Sequence, residues 1–386
     1  MSKNKYHLQT RAIRAGLETD SCYGDVVPPL HISTNYTFEK IGQRRTYDYT
    51  RSGNPTRALL ENAIAEMEGG AGGVVTCSGM SALTTVFHLL KTGDTIIAPH
   101  DCYGGTYRLL NSFHQNGFLN VLFLEQTNLE GIRKAFQDHD VKMILIETPS
   151  NPLLRISDIQ ALAAIAKENG ALSVADNTFL SPILQQPFEH GVDVVVHSTT
   201  KYINGHSDVI GGALVGRTKE ITEKLYWWAN NLGTTGSVFD SFLSLRGMRT
   251  IGLRVRQQAD SAQQVAEFLQ SSDNVTKVNY PGLPSHPGHE LAKKQQRGFG
   301  SMLSFEIKGG IDSVKTFVEE LELFSLAESL GGFESLIAHP QTMTHAAMDA
   351  ESQKKAGITE TLLRLSIGLE APEDLMQDLQ NGLNKI

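Results

Sequence analysis

Asp193-Val194-Val195-Val196-His197-Ser198-Thr199-Thr200-Lys201-Tyr202-Ile203-Asn204-Gly205-His206-Ser207-Asp208-Val209-Ile210-Gly211-Gly212 is the stretch on which the reading of this chain turns. Asp193 to His197 is a short β-branched run and reads as a buried strand. It delivers Ser198, Thr199, Thr200 and Lys201 to the strand's carboxyl end, where open α/β sheets place their ligands. Gly205, Gly211 and Gly212 then allow close approach of backbone. A lysine set among hydroxyls at such a point is placed to act as an amine nucleophile, the chemistry of a Schiff base.

Most lysines are exposed and do nothing beyond solvation, so Lys201 needs a second feature beside it. Leu172 to Asp176 supplies one: an apolar run that ends in a carboxylate. An acid and an amine at the ends of two strands of one sheet face the same crevice. Pyridoxal phosphate needs that pair, with lysine on its aldehyde and aspartate on its pyridinium nitrogen.

The wider chain suits an α/β fold. Arg57 to Met67, Met80 to Leu90 and Ile159 to Glu168 read as helices. Gly73 to Cys77, Thr95 to Ala98, Val121 to Leu124, Met143 to Ile146, Leu172 to Ala175 and Val194 to Val196 read as strands. Strand and helix in alternation imply a mostly parallel sheet covered on both faces. After Asp240, helical patterns run to about Gln270 and read as a long connecting helix whose arginines are mostly solvated. From about Lys277 a smaller α/β unit follows, with strands at Met302 to Ile307 and Leu362 to Ile367 and helices at Ser313 to Leu321 and Glu373 to Leu383. The expected organisation is an arm at 1–54, a large domain at 55–255 and a small domain at 256–386. The arm lacks sustained periodicity, so it is expected to pack on something else.

With 386 residues the chain can bury two cores. A net charge of −8 argues against nucleic acid and anionic membranes as partners, so anionic ligands must be held by local arginines. No charged-then-apolar leader opens the chain at Met1 to Leu17, and no long apolar stretch follows; a cytoplasmic protein is expected. Cys22, Cys77 and Cys102 lack metal-ligand or CxxC spacing and read as reduced thiols. Gly69 to Gly73 is glycine-rich but precedes its strand, which sets aside a dinucleotide-binding site.

Other residues gather around the Lys201 crevice. Ser78, Gly79 and Met80 link a strand to a helix, where free amides make a phosphate cradle. Ser198 and Thr200 can donate hydroxyl hydrogen bonds to the same phosphate. Tyr103 follows another strand and can stack on a ring or relay a proton, or else simply pack. Arg364 interrupts an apolar strand, and a buried arginine needs an anion.

Four strings carry a resemblance: Ser-Thr-Thr-Lys-Tyr-Ile-Asn-Gly-His-Ser-Asp, Tyr-Thr-Arg-Ser-Gly-Asn-Pro-Thr, His-Asp-Cys-Tyr-Gly-Gly-Thr-Tyr-Arg and Glu-Thr-Pro-Ser-Asn-Pro. Over essentially its whole length the chain resembles the Cys/Met-metabolism family of pyridoxal-phosphate enzymes. The resemblance implies a fold-type I transferase, a homo-oligomer with shared active sites, expected as a tetramer, and small amino-acid substrates. It implies that Tyr49 and Arg51 bind the cofactor phosphate of the adjacent subunit and that Asn151 contacts the ring hydroxyl. It further implies that Arg364, assisted by Ser329, holds the substrate α-carboxylate, while Glu328, Arg108 and Asp48 hold distal groups. His345, in Thr-Met-Thr-His, is given a structural role. Trp-Trp-Ala-Asn-Asn-Leu-Gly-Thr-Thr-Gly near Trp227 and Leu-Ala-Glu-Ser-Leu-Gly-Gly near Glu328 are similar to members that exchange the γ-substituent of an O-acylhomoserine for cysteine. Some succinyl-specific members carry an arginine directly after the phosphate arginine, and this chain has Ser52 there. The acyl group therefore stays open, as do cystathionine cleavage and sulfhydrylation of the ester.

Overall fold

The computed structural model describes residues 6–346 and 348–386. Seven strands make the first sheet: β1 (Gly72–Thr76), β2 (Thr95–Pro99), β3 (Asn120–Leu124), β4 (Val141–Glu147), β5 (Leu172–Asp176), β6 (Val194–His197) and β7 (Gly212–Gly216). Their order is β1-β7-β6-β5-β4-β2-β3. Neighbours from β6 to β3 pair in parallel, and β7 runs against both β6 and β1. The antiparallel strand follows from the Lys201 loop, which turns the chain back between β6 and β7. The sequence reading left β7 unassigned, because glycine at both of its ends reads as punctuation.

The alternation of a strand explains why β6 is almost all valine. Val194 and Val196 enter one core with Ala82, Val86 and Leu225, while Val195 enters the other with Leu60, Ile64 and Ile159. Each such side chain contributes roughly 1.5–3 kcal/mol by leaving water. Helix Pro55–Glu68 starts where local chemistry dictates: Pro55 takes the first turn, and Asn54 Oδ1 accepts from Thr56 N at 2.9 Å and Arg57 N at 3.2 Å.

A second sheet holds β8 (Val275–Asn279), β9 (Met302–Ile307), β10 (Ser325–Leu326), β11 (Leu336–Ala338) and β12 (Leu362–Ser366) in the order β10-β11-β12-β9-β8. It is antiparallel except for β10 against β11. Leu303, Phe305, Leu363 and Leu365 bury one face beneath helix Pro372–Leu383. Helix Ile251–Ser271 serves both units, with Ile251 and Val255 in the first core and Val265, Ala266 and Leu269 in the second. The division expected at residue 255 falls inside it.

Two expectations are corrected. The connecting segment is two helices, Val238–Met248 and Ile251–Ser271, and its arginines are not mostly solvated: Arg246 and Arg256 are exposed, Arg249 is half-buried and Arg254 is buried. Arg254 donates to the carbonyls of Tyr202 (2.9 Å), Gly247 (2.8 Å) and Ile203 (3.4 Å), which satisfies its charge without a carboxylate. The arm is also not wholly irregular, since Leu8–Arg14 is helical and sets Ala12 against the first core. Two turns are too few for a period to be read, and packing holds them. The remainder of the arm leaves Tyr23, Ile32 and Ile41 exposed.

Candidate active site

Lys201 stands in the turn that follows β6, where its own carbonyl accepts from Gly205 N at 2.8 Å. Its Nζ donates to Ser329 Oγ at 2.6 Å. Burial, reinforced by the Arg364 guanidinium and opposed by Glu328, brings this amine down to about 8. At neutral pH a usable fraction of it is therefore the free nucleophile.

Ser329 ties the two ends of the site together. Its carbonyl accepts from Arg364 Nη2 at 2.9 Å, and its φ of +92° lies where residues with a Cβ rarely sit. Arg364 is buried in β12, and its Nη1 donates to Asn151 Oδ1 at 3.1 Å. Its Nε is buried with no hydrogen-bond partner among the described residues, and no carboxylate pairs with it. An arginine in this state can accept an incoming carboxylate at little further desolvation cost. Asn151, expected at the ring hydroxyl, thus also holds the arginine. His345 is buried beside the same guanidinium, which together with burial lowers its imidazole to about 4.

Asp176 ends β5 level with Glu147 at the end of β4. Its Oδ1 accepts from Thr178 N at 3.0 Å. Burial raises its proton affinity, an unfavourable setting for a lone carboxylate and one that a ring N–H⁺ would complete. Glu147 was not singled out from the sequence; the signal was the same as for Asp176, an apolar strand ending in an acid.

Ser78 caps helix Gly79–Phe87 by accepting from Ser81 N at 3.0 Å. A Cβ at Gly79 would lie 2.9 Å from Ser198 Cβ, so only glycine lets the helix start and Ser198 face each other. Thr200 Oγ1 donates to Gly211 O at 3.2 Å and accepts from Gly211 N at 2.9 Å, so its hydroxyl also fastens the Lys201 loop. Tyr103, 41% exposed, opens helix Gly104–Gln115, and its ring lies over Gly105 close to where a Cβ would clash.

These groups line one cleft of about 750 Å³: Ser78, Gly79 and Met80 at the helix start, Tyr103 and Asn151 on loops, Asp176, Ser198, Thr200 and Lys201 at strand ends, and Glu328, Ser329 and Arg364 from the second unit. The size is that of a small-molecule site. Tyr49, Arg51, Asp48 and Arg108 are not among its walls. Arg51 lies over the Tyr49 ring at 5.7 Å, and Asp48 accepts from Ser52 Oγ at 2.7 Å, both on the arm. Arg108 is exposed on helix Gly104–Gln115.

An open α/β sheet that sets a lowered lysine, a desolvated aspartate and a glycine-opened helix start around one cleft defines a pyridoxal-phosphate enzyme. The model of the Cys/Met metabolism PLP-dependent enzymes matches residues 9–384, and the chain belongs to that family. It is 51% identical to cystathionine gamma-synthase of Escherichia coli (strain K12) over 376 residues, 97% of each chain. It is 44% identical to cystathionine beta-lyase of Coxiella burnetii (strain RSA 493 / Nine Mile phase I) over 99% of each. The crystal structure of cystathionine gamma synthase from Xanthomonas oryzae pv. oryzae, in complex with aminoacrylate and cysteine, superposes with a TM-score of 0.97 at 54% identity over 98% of each chain. The cofactor is pyridoxal 5'-phosphate, and the donors on the cleft walls fit it: a cradle for phosphate, an acid for the ring nitrogen and an amine for the aldehyde.

Proposed function

We propose that this chain is a cystathionine γ-synthase, which replaces the acyl group of an O-acylhomoserine, in the first instance O-succinyl-L-homoserine, with L-cysteine to give L-cystathionine for methionine synthesis. The observation that carries the reading is Lys201 Nζ held 2.6 Å from Ser329 Oγ, with Arg364 on the other side of that residue. Full-length likeness to two synthases supports the particular reaction. When bound, pyridoxal phosphate supplies an electron sink that makes the substrate's α- and β-protons removable.

The chain's own residues do the rest. Arg364, on the cleft wall, receives the α-carboxylate and fixes Cα over Lys201. Lys201, a usable fraction of which is the free amine near neutral pH, takes the Cα proton, passes it on, and then takes a Cβ proton. Asp176 stabilises the protonated ring nitrogen. Tyr103 moves a proton near the γ-oxygen as the C–O bond breaks and the carboxylic acid departs; the cysteine thiolate then forms the C–S bond at Cγ, and protons are returned to Cβ and Cα. Glu328, Arg108 and Asp48 hold distal groups. Tyr49 and Arg51 stand away from their own cleft, and we assign them to the phosphate of a neighbouring copy, within a cytoplasmic tetramer built from pairs.

The test offers the holoenzyme O-succinylhomoserine with cysteine, then cystathionine alone. Addition should dominate in kcat/KM, and dominant cleavage of cystathionine would overturn the assignment in favour of a lyase, the reaction named for the Coxiella relative. The reading weighed from sequence did not include a β-lyase, so pyruvate release from cystathionine is scored alongside. Mixing an Arg51→Ala chain with a Lys201→Ala chain should restore one intact site per hybrid pair; no regained activity sinks the crossing arm.

A further inference from the structure

Glu147 has no role in the chemistry above, yet it lines the cleft and is only 8% exposed. Its neighbours in space define what it can do. Its Oε2 accepts from Tyr103 N at 3.1 Å, and the backbone N–H of Asn151 lies near enough to the same carboxyl to oppose its protonation. Tyr103 opens helix Gly104–Gln115 without a side-chain cap of its own, so the acid from β4 serves the start of that helix. Asn151 in turn supports Arg364 through its Oδ1 at 3.1 Å. One carboxyl therefore sits between the two loops, bonded to the one that carries the proton-moving phenol and beside the one that braces the carboxylate-binding arginine.

We propose that Glu147 is a positioning residue of this cleft, holding the Tyr103 and Asn151 loops in register with each other and with Asp176 across the cofactor ring. The inference rests on the reading of the cleft as a pyridoxal-phosphate site. Among the described residues no cation pairs with Glu147. Asp176, its partner in the β4–β5 register, Asp101 and the thiol of Cys102 surround it, and burial with the Asp176 charge pushes its carboxyl well above the usual range. The role needs only an acceptor oxygen for the Tyr103 N–H, which either form of the carboxyl supplies. A glutamine can do the same; an aspartate, one methylene shorter, cannot span the gap.

The experiment compares the wild-type holoenzyme with Glu147→Gln, Glu147→Ala and Glu147→Asp by the visible circular dichroism of bound pyridoxal phosphate, by kcat and KM separately, and by thermal unfolding. Glu147→Ala and Glu147→Asp should lose about 100-fold in kcat, as displaced reacting groups do, with little change in KM. They should also weaken the induced dichroism without a matching fall in melting temperature. Glu147→Gln should recover both signals to within about tenfold. Wild-type dichroism and kcat in Glu147→Ala overturn the proposal, and so does a Glu147→Gln variant as impaired as Glu147→Ala, since the acid's own proton would then be what matters. Wild-type protein that takes up no pyridoxal phosphate sinks the parent reading and this one with it, whereas failure confined to the variants' pattern sinks this one alone.

Discussion

Two buried arginines, one in the connecting helix and one in the second sheet, differ in a way that separates framework from chemistry. Burial lowers both guanidinium groups to about 10. Arg254 is satisfied all round: besides three backbone carbonyls, its Nε donates to Thr250 Oγ1 at 3.2 Å. Arg364 faces the cleft with its Nε unpartnered. Burial of a charge therefore does not mark a site by itself. A buried guanidinium that lines a cavity and still lacks an ionic partner does, because an anion that enters can complete it.

The contrast can be broken most sharply at Arg364. Arg364→Leu should lower kcat/KM for the amino-acid substrate by roughly 10³-fold, the scale of a lost charge-assisted pair. Its melting temperature should fall only modestly, since the bonds to Asn151 Oδ1 and Ser329 O are lost while a buried cation is removed. A folded Arg364→Leu enzyme with near-normal kcat/KM would refute the carboxylate site.

Arg254→Leu should instead destabilise the fold by about 3 kcal/mol, through carbonyls left without donors. Gly205→Ala should act in the same direction. Gly205 has φ +68°, and its added Cβ would meet the Arg254 guanidinium at 1.8 Å. Denaturant midpoints read both, and a stable Arg254→Leu protein would show that the helix does not hold the Lys201 turn.

The smallest effect concerns pH. The uptake rate of pyridoxal phosphate by cofactor-free protein should climb with pH and level off above about 8, where Lys201 becomes the free amine. Because this lysine titrates lower in the folded chain than in the unfolded one, the unfolded state binds more protons between about 8 and 10.5, so the lysine's contribution to stability rises with pH across that window. Arg364→Leu should move the uptake inflection upward by removing a nearby positive charge, and Arg254→Leu should leave it in place. An unmoved inflection in Arg364→Leu would mean that burial alone sets the amine.

Much of the first sheet was legible because β2 to β6 are apolar runs bounded by turns, and an acid or an amine at a strand end stands out against them. Asp176 and Lys201 were found this way, the Ser78–Met80 link as a glycine-bearing helix start, and all of them line one cleft. The misses share a cause. β7 is framed by glycines, Gly212 because a Cβ there would meet Ser78 O and Gly216 because one would meet Thr222, and β10 and β11 are only two and three residues long. Arg254 looked like a surface residue because carbonyl partners leave no sequence signature.

What the amino-acid sequence determined by itself was the inventory and the local order: which runs are strands, which end in reactive groups, and which motifs place the chain in its family. The tertiary structure alone decided the meetings. Lys201 bonds Ser329 across 128 residues of chain, and Arg364 reaches Asn151 across 213. A residue pattern records how one element buries its own face, whereas contact between distant elements depends on how all of them dock around the two cores, and that is a property of packing that no single stretch carries.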